Sequence, residues 1–278
     1  SYLPRPSMTP ASHAPAVSPF RWQALLGALA ALALGFVATP AQAGEEIRVQ
    51  KAVSTVSSRY GQSWQDVSIT LLVQNLAYHK EVSVSMKQPD GTWADLAASY
   101  VGPAGSGASG HEIWKVTRMY ASWGVDPQPS RDLEFVAKYT VAGQTYWDTN
   151  QWSHHHVGRG DGPYQPYSPV LVAASFWRDN GDLDVSIDVK NLAYAKNVTV
   201  VYSTDGWATA HEAPAAYVSG YTFGYAYIAS PNVQGVERWQ AHIPALPGNV
   251  VLFAVRYEVG GQTYWDNNFG VDHQHTRP

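Results

Sequence analysis

The chain has 278 residues, with 18 basic and 22 acidic side chains, a formal net charge of −4 and no cysteine. The absence of cysteine from this sequence excludes disulfides and thiolate metal ligands within it, and the negative charge argues against nucleic acid as a partner. Charged residues make up only 14%, beside 11 Trp, 17 Tyr, 23 Gly and 18 Pro. This composition is typical of an all-β protein built from short strands and many turns.

Residues 1–43 have the pattern of a leader. Met8 is the expected initiator, Arg21 precedes an apolar run over residues 24–38, and Ala-Gln-Ala follows at 41–43. A basic flank, a short apolar stretch and an Ala-x-Ala site predict a secretory signal peptide that is cleaved after this tripeptide. The alternative is an uncleaved membrane anchor, for which the run is short. We therefore expect a secreted or periplasmic protein with no membrane span after cleavage.

Two blocks of sequence recur at nearly the same offset. Residues 143–150 (GQTYWDTN) return as residues 261–268 (GQTYWDNN), and Asn-Leu-Ala-Tyr stands at both 75–78 and 191–194. Two blocks repeating at one offset indicate a duplicated domain.

The two copies divide the chain behind the leader. The first is predicted at residues 44–156 and the second at 170–278, with a linker over 157–169 that Gly loosens at one end and Pro stiffens at the other. Each copy is predicted to be an immunoglobulin-like antiparallel β-sandwich, because alternating apolar residues indicate half-buried strands and Asp-Gly or Gly-Gly pairs indicate tight turns. The alternating positions are Val67, Ile69, Leu71 and Val73 in the first copy, and Leu183, Val185, Ile187 and Val189 in the second.

The sequence contains no signature of a catalytic site. Nucleophile-elbow, phosphate-loop, dinucleotide and zinc-protease motifs are all absent from it. Asp148 and Asp266 recur, but each stands alone beside a Trp, whereas a glycosidase needs two carboxyl groups flanking one bond. We predict a protein that is not an enzyme and has no cofactor; the alternative is a catalytic pair assembled from distant loops.

Histidines cluster near the end of each copy and raise the possibility of a metal site. Imidazole is a common metal ligand, but no carboxylate or third residue at helical spacing completes a set. We expect solvated strand-end or tail residues and no metal at His154, His155, His156, His273 and His275.

Aromatic residues in polar surroundings offer a different chemistry. A pyranose has a face of C–H groups, on which Trp or Tyr stacks, and a rim of hydroxyls, to which Asn, Asp and Lys bond. Trp207 in an Asp-Gly loop, Trp265 before Asp-Asn-Asn, and Tyr194 close to Lys196 combine both features. The alternative is a place in the core, which is expected for Phe135, Tyr139, Phe253, Tyr257, Trp114 and Trp239.

At these residues the sequence resembles carbohydrate-binding module family 21, the starch- and glycogen-binding type. In the second copy the resemblance runs through Asn-Leu-Ala-Tyr-x-Lys at 191–196, Asp-Gly-Trp at 205–207 and Tyr-Trp-Asp-Asn-Asn at 264–268, and the first copy keeps this skeleton more loosely. The resemblance implies an immunoglobulin-like sandwich with two sugar sites in each copy. The implied stacking residues are Trp207, Trp265, Tyr194 and Tyr217, matched by Trp93, Trp147, Tyr78 and Tyr100. The polar residues expected beside them are Asn267, Asn268 and Lys196, matched by Asn150 and Lys80.

Some positions depart from the family pattern. An aromatic residue expected after Phe253 is Ala254, and the first copy has Val136 there. The usual Asn-Tyr after Asp-Asn-Asn is replaced by Asp-His at 272–273 and by His-His at 154–155, and Asn267 is matched by Thr149. These departures leave the choice of glucan open, and with it the alternative of a structural surface protein that has lost sugar binding.

The leading functional hypothesis is an exported, non-catalytic protein that binds α-glucan polysaccharide such as starch, glycogen or amylopectin. The alternative is a regulatory subunit that directs a glucan-active partner enzyme, a phosphatase or an amylase, to the polysaccharide. The predicted signal peptide and the lack of an apparent phosphatase-docking motif favour the first.

Overall fold

A computed structural model describes residues 46–105, 110–125 and 127–277. The predicted leader, residues 1–43, lies outside the described residues, as do positions 106–109 of the Gly/Ser-rich insert. Within the described part of the chain, no helix is long and apolar enough to cross a membrane.

The described residues form two β-sandwiches, which confirms the all-β prediction. The strands of the first sandwich are β1 Ile47–Arg59, β2 Gln62–Gln74, β3 Lys80–Lys87, β4 Trp93–Ala97, β5 Ser99–Pro103, β6 His111–Ala121, β7 Leu133–Val141, β8 Gln144–Asp148 and β9 His155–Val157. Strand β10 Gly162–Tyr164 follows in the connection to the second sandwich. The second sandwich has β11 Val170–Trp177, β12 Leu183–Lys190, β13 Lys196–Ser203, β14 His211–Pro214, β15 Ala216–Val218, β16 Gly220–Phe223, β17 Ala226–Ala229, β18 Val236–Ile243, β19 Val250–Val259, β20 Gln262–Asp266, a 3-10 turn Asn268–Gly270 and β21 His273–Thr276.

The strand order repeats between the two sandwiches, and all pairings are antiparallel. One sheet has the order β10-β1-β2-β6-β5 in the first sandwich and β11-β12-β18-β15 in the second. The other sheet has the order β4-β3-β7-β8, with β9 also on β7, and β14-β13-β19-β20, with β21 also on β19. The duplicated domain inferred from the sequence is therefore a duplicated pair of sheets.

Each sandwich has its own core between its two sheets. Phe135 and Tyr139 in the first core, and Phe253 and Tyr257 in the second, are fully or almost fully buried, as the alternation predicts. The two tyrosines end in matching bonds, because the Tyr139 hydroxyl donates to Gln74 O at 2.8 Å and the Tyr257 hydroxyl donates to Lys190 O at 2.6 Å. The remaining two residues expected in the core, Trp114 and Trp239, are only partly buried at its margin.

The predicted turns have the backbone that their residues favour. The β7–β8 turn has φ of 49° at Ala142 and 76° at Gly143, and the β19–β20 turn has φ of 57° at Gly260 and 76° at Gly261. Two consecutive residues with positive φ form the tight hairpin turn whose twist matches the flanking strands.

The connection over residues 157–169 is packed rather than free. Its strand β10 pairs with β1 at Gly162↔Ser54 and Tyr164↔Ala52. The Tyr167 hydroxyl donates to Asp148 Oδ1 at 2.6 Å. The expectation that glycine loosens this segment is wrong, because β1 and the first core hold it in place. Both sandwiches belong to one compact unit.

The second sandwich carries an extra two-stranded sheet. Strands β16 and β17 form a hairpin, paired from Gly220↔Ala229 to Phe223↔Ala226, between the strands that match β5 and β6. This hairpin is the aromatic insert of the sequence, and β17 packs against β1 of the first sandwich.

Candidate functional site

The loop between β12 and β13 presents Tyr194 to solvent. Its side chain is fully exposed, at 100% relative accessibility. Two positions later, the ammonium group of Lys196 is buried and donates to Asn191 Oδ1 at 2.6 Å and to Glu237 Oε1 at 2.9 Å. This contact ties both ends of the loop to β18, so the tyrosine stands on a fixed support.

We call each sandwich a module, and the first module has the same loop. Tyr78 is 91% exposed. The Lys80 ammonium bonds to the Asn75 side chain and lies 3.0 Å from each oxygen of the Glu112 carboxylate. Each of the two lysines, expected to bond to sugar hydroxyls, donates to a protein carboxylate and to an asparagine side chain. They position the tyrosine loops.

A glutamate and a tryptophan connect each loop to a second exposed tyrosine. Glu237 also accepts from the Trp239 indole at 3.0 Å, and the Trp239 ring meets Tyr217 edge-on, with centroids 6.0 Å apart. The first module repeats this contact chain with Glu112, Trp114 and Tyr100, at 2.9 Å and 5.5 Å. We call Tyr78 with Tyr100, and Tyr194 with Tyr217, the tyrosine sites.

Sequence reasoning missed these two glutamates and assigned the two tryptophans to the core. A signal was present, since Glu-x-Trp occurs in both copies, at 112–114 and 237–239.

The last hairpin of each module carries a tryptophan next to a cation, exposed in the second module (Trp265) and half-buried in the first (Trp147). Trp265 on β20 lies beside Arg256, whose guanidinium is 5.8 Å from the ring centroid and is bonded to Glu212 at 2.9 and 3.1 Å. In the first module Trp147 lies beside Lys138, at 5.4 Å, and this lysine bonds to Asp95 at 2.6 Å. The tryptophan, cation and carboxylate therefore recur as a set.

Trp207 is held by the Asp-Gly loop predicted from the sequence. The Asp205 carboxylate accepts from the Thr209 amide at 2.9 Å and the Ser203 hydroxyl at 2.7 Å, and these bonds lower its pKa to about 2. The half-buried Trp207 indole donates to Asp272 Oδ2 at 2.8 Å. Asp272, one of the departures from the family pattern, thus fixes the ring in place.

Trp93 is anchored differently. It begins strand β4 instead of lying in a loop, and its ring meets His154 edge-on at 5.1 Å. The His154 Nδ1 atom lies 2.9 Å from Glu134 Oε1. We call Trp93 with Trp147, and Trp207 with Trp265, the tryptophan sites.

The asparagines after each Trp-Asp pair support the loops between the tryptophans. Asn268 donates from its side chain to Asp272 O at 3.1 Å, and Asn150 donates to His154 O at 2.9 Å. Asn267 accepts from the Gly270 amide through its side-chain oxygen, at 3.0 Å. The exposed Asn267 keeps its amide N–H groups pointing away from this bond, so it retains donors for a ligand.

Asp148, which is buried, and Asp266, whose side chain is 11% exposed, stand beside the tryptophans in sequence and make structural contacts. Asp148 Oδ1 is 3.2 Å from His155 Nε2, and Asp266 Oδ1 is 3.0 Å from His273 Nε2. Burial alone would raise the pKa of both carboxyl groups, but the histidines and the backbone amides of Val49 and Val172 outweigh it and leave each pKa below its usual value. The His155 ring stacks on Phe135 and the His273 ring on Phe253, with centroids 5.2 and 5.1 Å apart. The two rings pack on the core, whereas the sequence predicts that they are solvated.

Metal-binding geometry is also absent from the described part of the chain, where no three His, Asp or Glu side chains converge.

The family model of the carbohydrate/starch-binding module (family 21) matches residues 49–158 and 168–276. The chain belongs to this family. Each family 21 match spans one of the two sandwiches, with its tyrosine and tryptophan sites.

Relatives of the chain include regulatory proteins and an enzyme. Protein phosphatase 1 regulatory subunit 3E of Mus musculus is 40% identical over 98 residues, which are 34% of this chain and 32% of that protein. Glucoamylase 1 of Rhizopus oryzae is 32% identical over 111 residues, which are 39% of this chain and 17% of that protein. The chain thus spans about a third or less of the length of these relatives.

Among solved structures, the starch binding domain of Rhizopus oryzae glucoamylase, in complex with β-cyclodextrin and maltoheptaose, matches with 29% identity and a TM-score of 0.30. The match covers 39% of this chain and 93% of that domain.

Proposed function

We propose that this family 21 chain binds starch- or glycogen-type α-glucans through its tyrosine and tryptophan sites, and that this binding directs a partner enzyme to the polysaccharide. The observation that carries the proposal is the support beneath Tyr78 and Tyr194. A ring left in water adds little to folding, and burying the lysine–glutamate pair beside it costs desolvation. Because the exposed tyrosine and its buried lysine–glutamate pair recur in both modules despite this desolvation cost, we infer that they serve ligand binding.

The chemistry of the sites suits a glucan. Exposed rings offer flat apolar surfaces for the C–H faces of successive glucosyl units. Arg256 and Asn267 near Trp265 place hydrogen-bond donors where hydroxyls of a stacked sugar would lie. No reducing sugar is expected to be released from soluble starch, because the carboxylates that recur beside the tryptophans are engaged in structural bonds.

The names of the relatives favour the targeting role over a free-standing binding protein. Protein phosphatase 1 regulatory subunits 3E and 3B and the Drosophila melanogaster glycogen-binding subunit 76A all match about a third of this chain. A protein phosphatase is therefore the partner enzyme we propose. The second candidate is an exported binding protein of immunoglobulin-like sandwiches, and its support is the leader pattern in residues 1–43.

Affinity electrophoresis in gels that contain glycogen, amylopectin or starch tests glucan binding. The wild-type chain is expected to be retarded, and Trp207→Ala/Trp265→Ala and Tyr78→Ala/Tyr194→Ala are each expected to reduce the retardation. Tyr60→Ala is the matched control, because this tyrosine is 88% exposed but lies outside both kinds of site. Normal migration of the wild-type chain in all three gels would refute glucan binding.

Sedimentation with glycogen separates the two roles. The catalytic subunit of protein phosphatase 1 should pellet with glycogen only when this chain is present and its aromatic sites are intact. If the phosphatase stays in the supernatant, and the mature chain from culture medium begins directly after Ala43, the exported binding protein is the better account.

A further inference from the structure

A cleft of 630 Å³ lies between the two modules. Its floor is the outer face of β2 and β6 in the first module, and its walls come from β11 and the β16–β17 hairpin of the second. The volume falls within the range of about 300–1,000 Å³ that is usual for small-molecule sites. Neither module forms this cleft alone.

The floor carries hydrogen-bonding groups that the protein does not use. Ser68 lies across from Thr117, and Thr70 lies across from Lys115, on neighbouring strands. Among the residues that the structure describes, the three hydroxyls and the Lys115 ammonium have no hydrogen-bond or ion-pair partner. A row of free hydroxyls with an ammonium matches a polyhydroxylated ligand.

The hairpin supplies an aromatic ring above this floor. Phe223 lines the cleft, and its side chain is 62% exposed. The ring of Tyr221, two residues earlier, is already covered by the Arg238 guanidinium, whose Cζ lies 3.7 Å from the ring centroid. Phe223 is therefore the ring available for stacking, opposite the polar floor.

Buried contacts hold the two walls in position. Asp188 of the second module, 1% exposed, binds Lys51 of the first module at 2.8 Å and Arg238 of its own module at 2.8 Å. The side chain of Asn232 donates to Asp161 O at 2.8 Å and Pro163 O at 2.7 Å in the connecting segment. The cleft is therefore formed before any ligand binds.

From these observations we infer that the inter-module cleft is a third kind of α-glucan site, one that exists only in the tandem arrangement. A glucosyl unit stacks on Phe223 while its hydroxyls bond to Ser68, Thr117 and Lys115. Lys51 and Arg238 are already paired with Asp188, which leaves Lys115 with the hydroxyls of the floor to contact the sugar. The inference rests on the proposed function for its ligand class, but uses none of the residues of the tyrosine and tryptophan sites.

The lack of native cysteine allows a single probe to be placed on the floor. Met119→Cys in the full chain, at a cleft residue of β6 that is 56% exposed and makes none of the proposed sugar contacts, is labelled with an environment-sensitive fluorophore and titrated with maltoheptaose. A saturable change in emission is expected, and Phe223→Ala should weaken the binding seen by this probe by about 3- to 10-fold. Tyr227→Ala, which removes an exposed ring of the same hairpin outside the cleft, and a label at Asp179→Cys on a distant turn are the controls.

The outcomes distinguish this inference from the proposed function. A response of the floor probe in Met119→Cys that persists with Trp207→Ala/Trp265→Ala supports an independent site in the cleft. A silent probe, or a response that disappears with the tryptophans, overturns the cleft site while leaving gel retardation and the proposed function intact. Absence of both the response and the retardation overturns the two together.

Discussion

The buried pair Lys196–Glu237 supplies the sharpest test of how the tyrosine loop is held. Their side chains are 4% and 9% exposed, and Nζ lies 2.9 Å from Oε1. Lys196→Met leaves the Glu237 carboxylate buried without its cation. Removing one partner of a buried pair typically costs about 3–5 kcal/mol. We expect this cost in the second module and a mobile loop at 191–195, with weaker glucan binding although Tyr194 is unchanged.

An exposed pair of the same type provides the comparison. Lys87–Glu134 has the nearly equal distance of 2.8 Å, but its side chains are 43% and 25% exposed. Lys87→Met should therefore cost no more than about 1 kcal/mol. The double variant Lys196→Met/Glu237→Gln, which removes both charges, should recover much of the loss.

Hydrogen exchange measured by mass spectrometry reports the stability of each module separately. A single unfolding curve of a two-module chain does not separate them. The second module should lose protection in Lys196→Met and regain it in the double variant. If Lys196→Met costs no more than Lys87→Met, burial of the pair is not what fixes the loop.

Three further predictions concern the module contact and the cores. Asp188→Asn should loosen the contact between the modules, seen as a larger radius of gyration in small-angle scattering, and an unchanged radius would contradict this. Burial would raise the pKa of this carboxyl, but Lys51 and Arg238 lower it below its usual value, so the wild-type contact should weaken only as the pH falls through that lowered pKa. Gly105→Ala should weaken glycogen retardation, because its Cβ would lie 2.6 Å from Asn268 O, in the loop that supports Trp265; unchanged retardation would show that this close approach does not matter. Tyr257→Phe should lower the stability of the second module by about 1 kcal/mol through loss of the bond to Lys190 O, and exchange protection equal to wild type would contradict this.

The fold was predictable because its signals are local. Alternation at 67–73 and 183–189 places a strand with one face in the core, and Gly-Gly at 260–261 favours a tight turn. Repetition then extends each local prediction to a second copy. Burial of Phe135 and Phe253 follows from the same alternation.

The sites were only partly predictable, because polar partners depend on contacts between distant strands. The exposed tyrosines follow from their polar loops, but the role of Lys196 depends on Glu237, which is 41 positions away and lies on the other sheet of the sandwich. Trp207 shows the same limit, because its indole is fixed by Asp272, 65 positions away. Nor does any periodicity reveal that β10 joins the first sheet.

The strand in the connecting segment has a consequence for how two modules engage one polymer. In proteins with a flexible tether, the second binding event is governed by the tether's length and stiffness, which set an effective concentration. Here β10 is hydrogen-bonded to β1, and Tyr167 is bonded to Asp148, so the fold sets the spacing between the modules. Two-point attachment then depends on whether a glucan presents segments at that one spacing, so branching pattern and chain packing of the polysaccharide become determinants of selectivity.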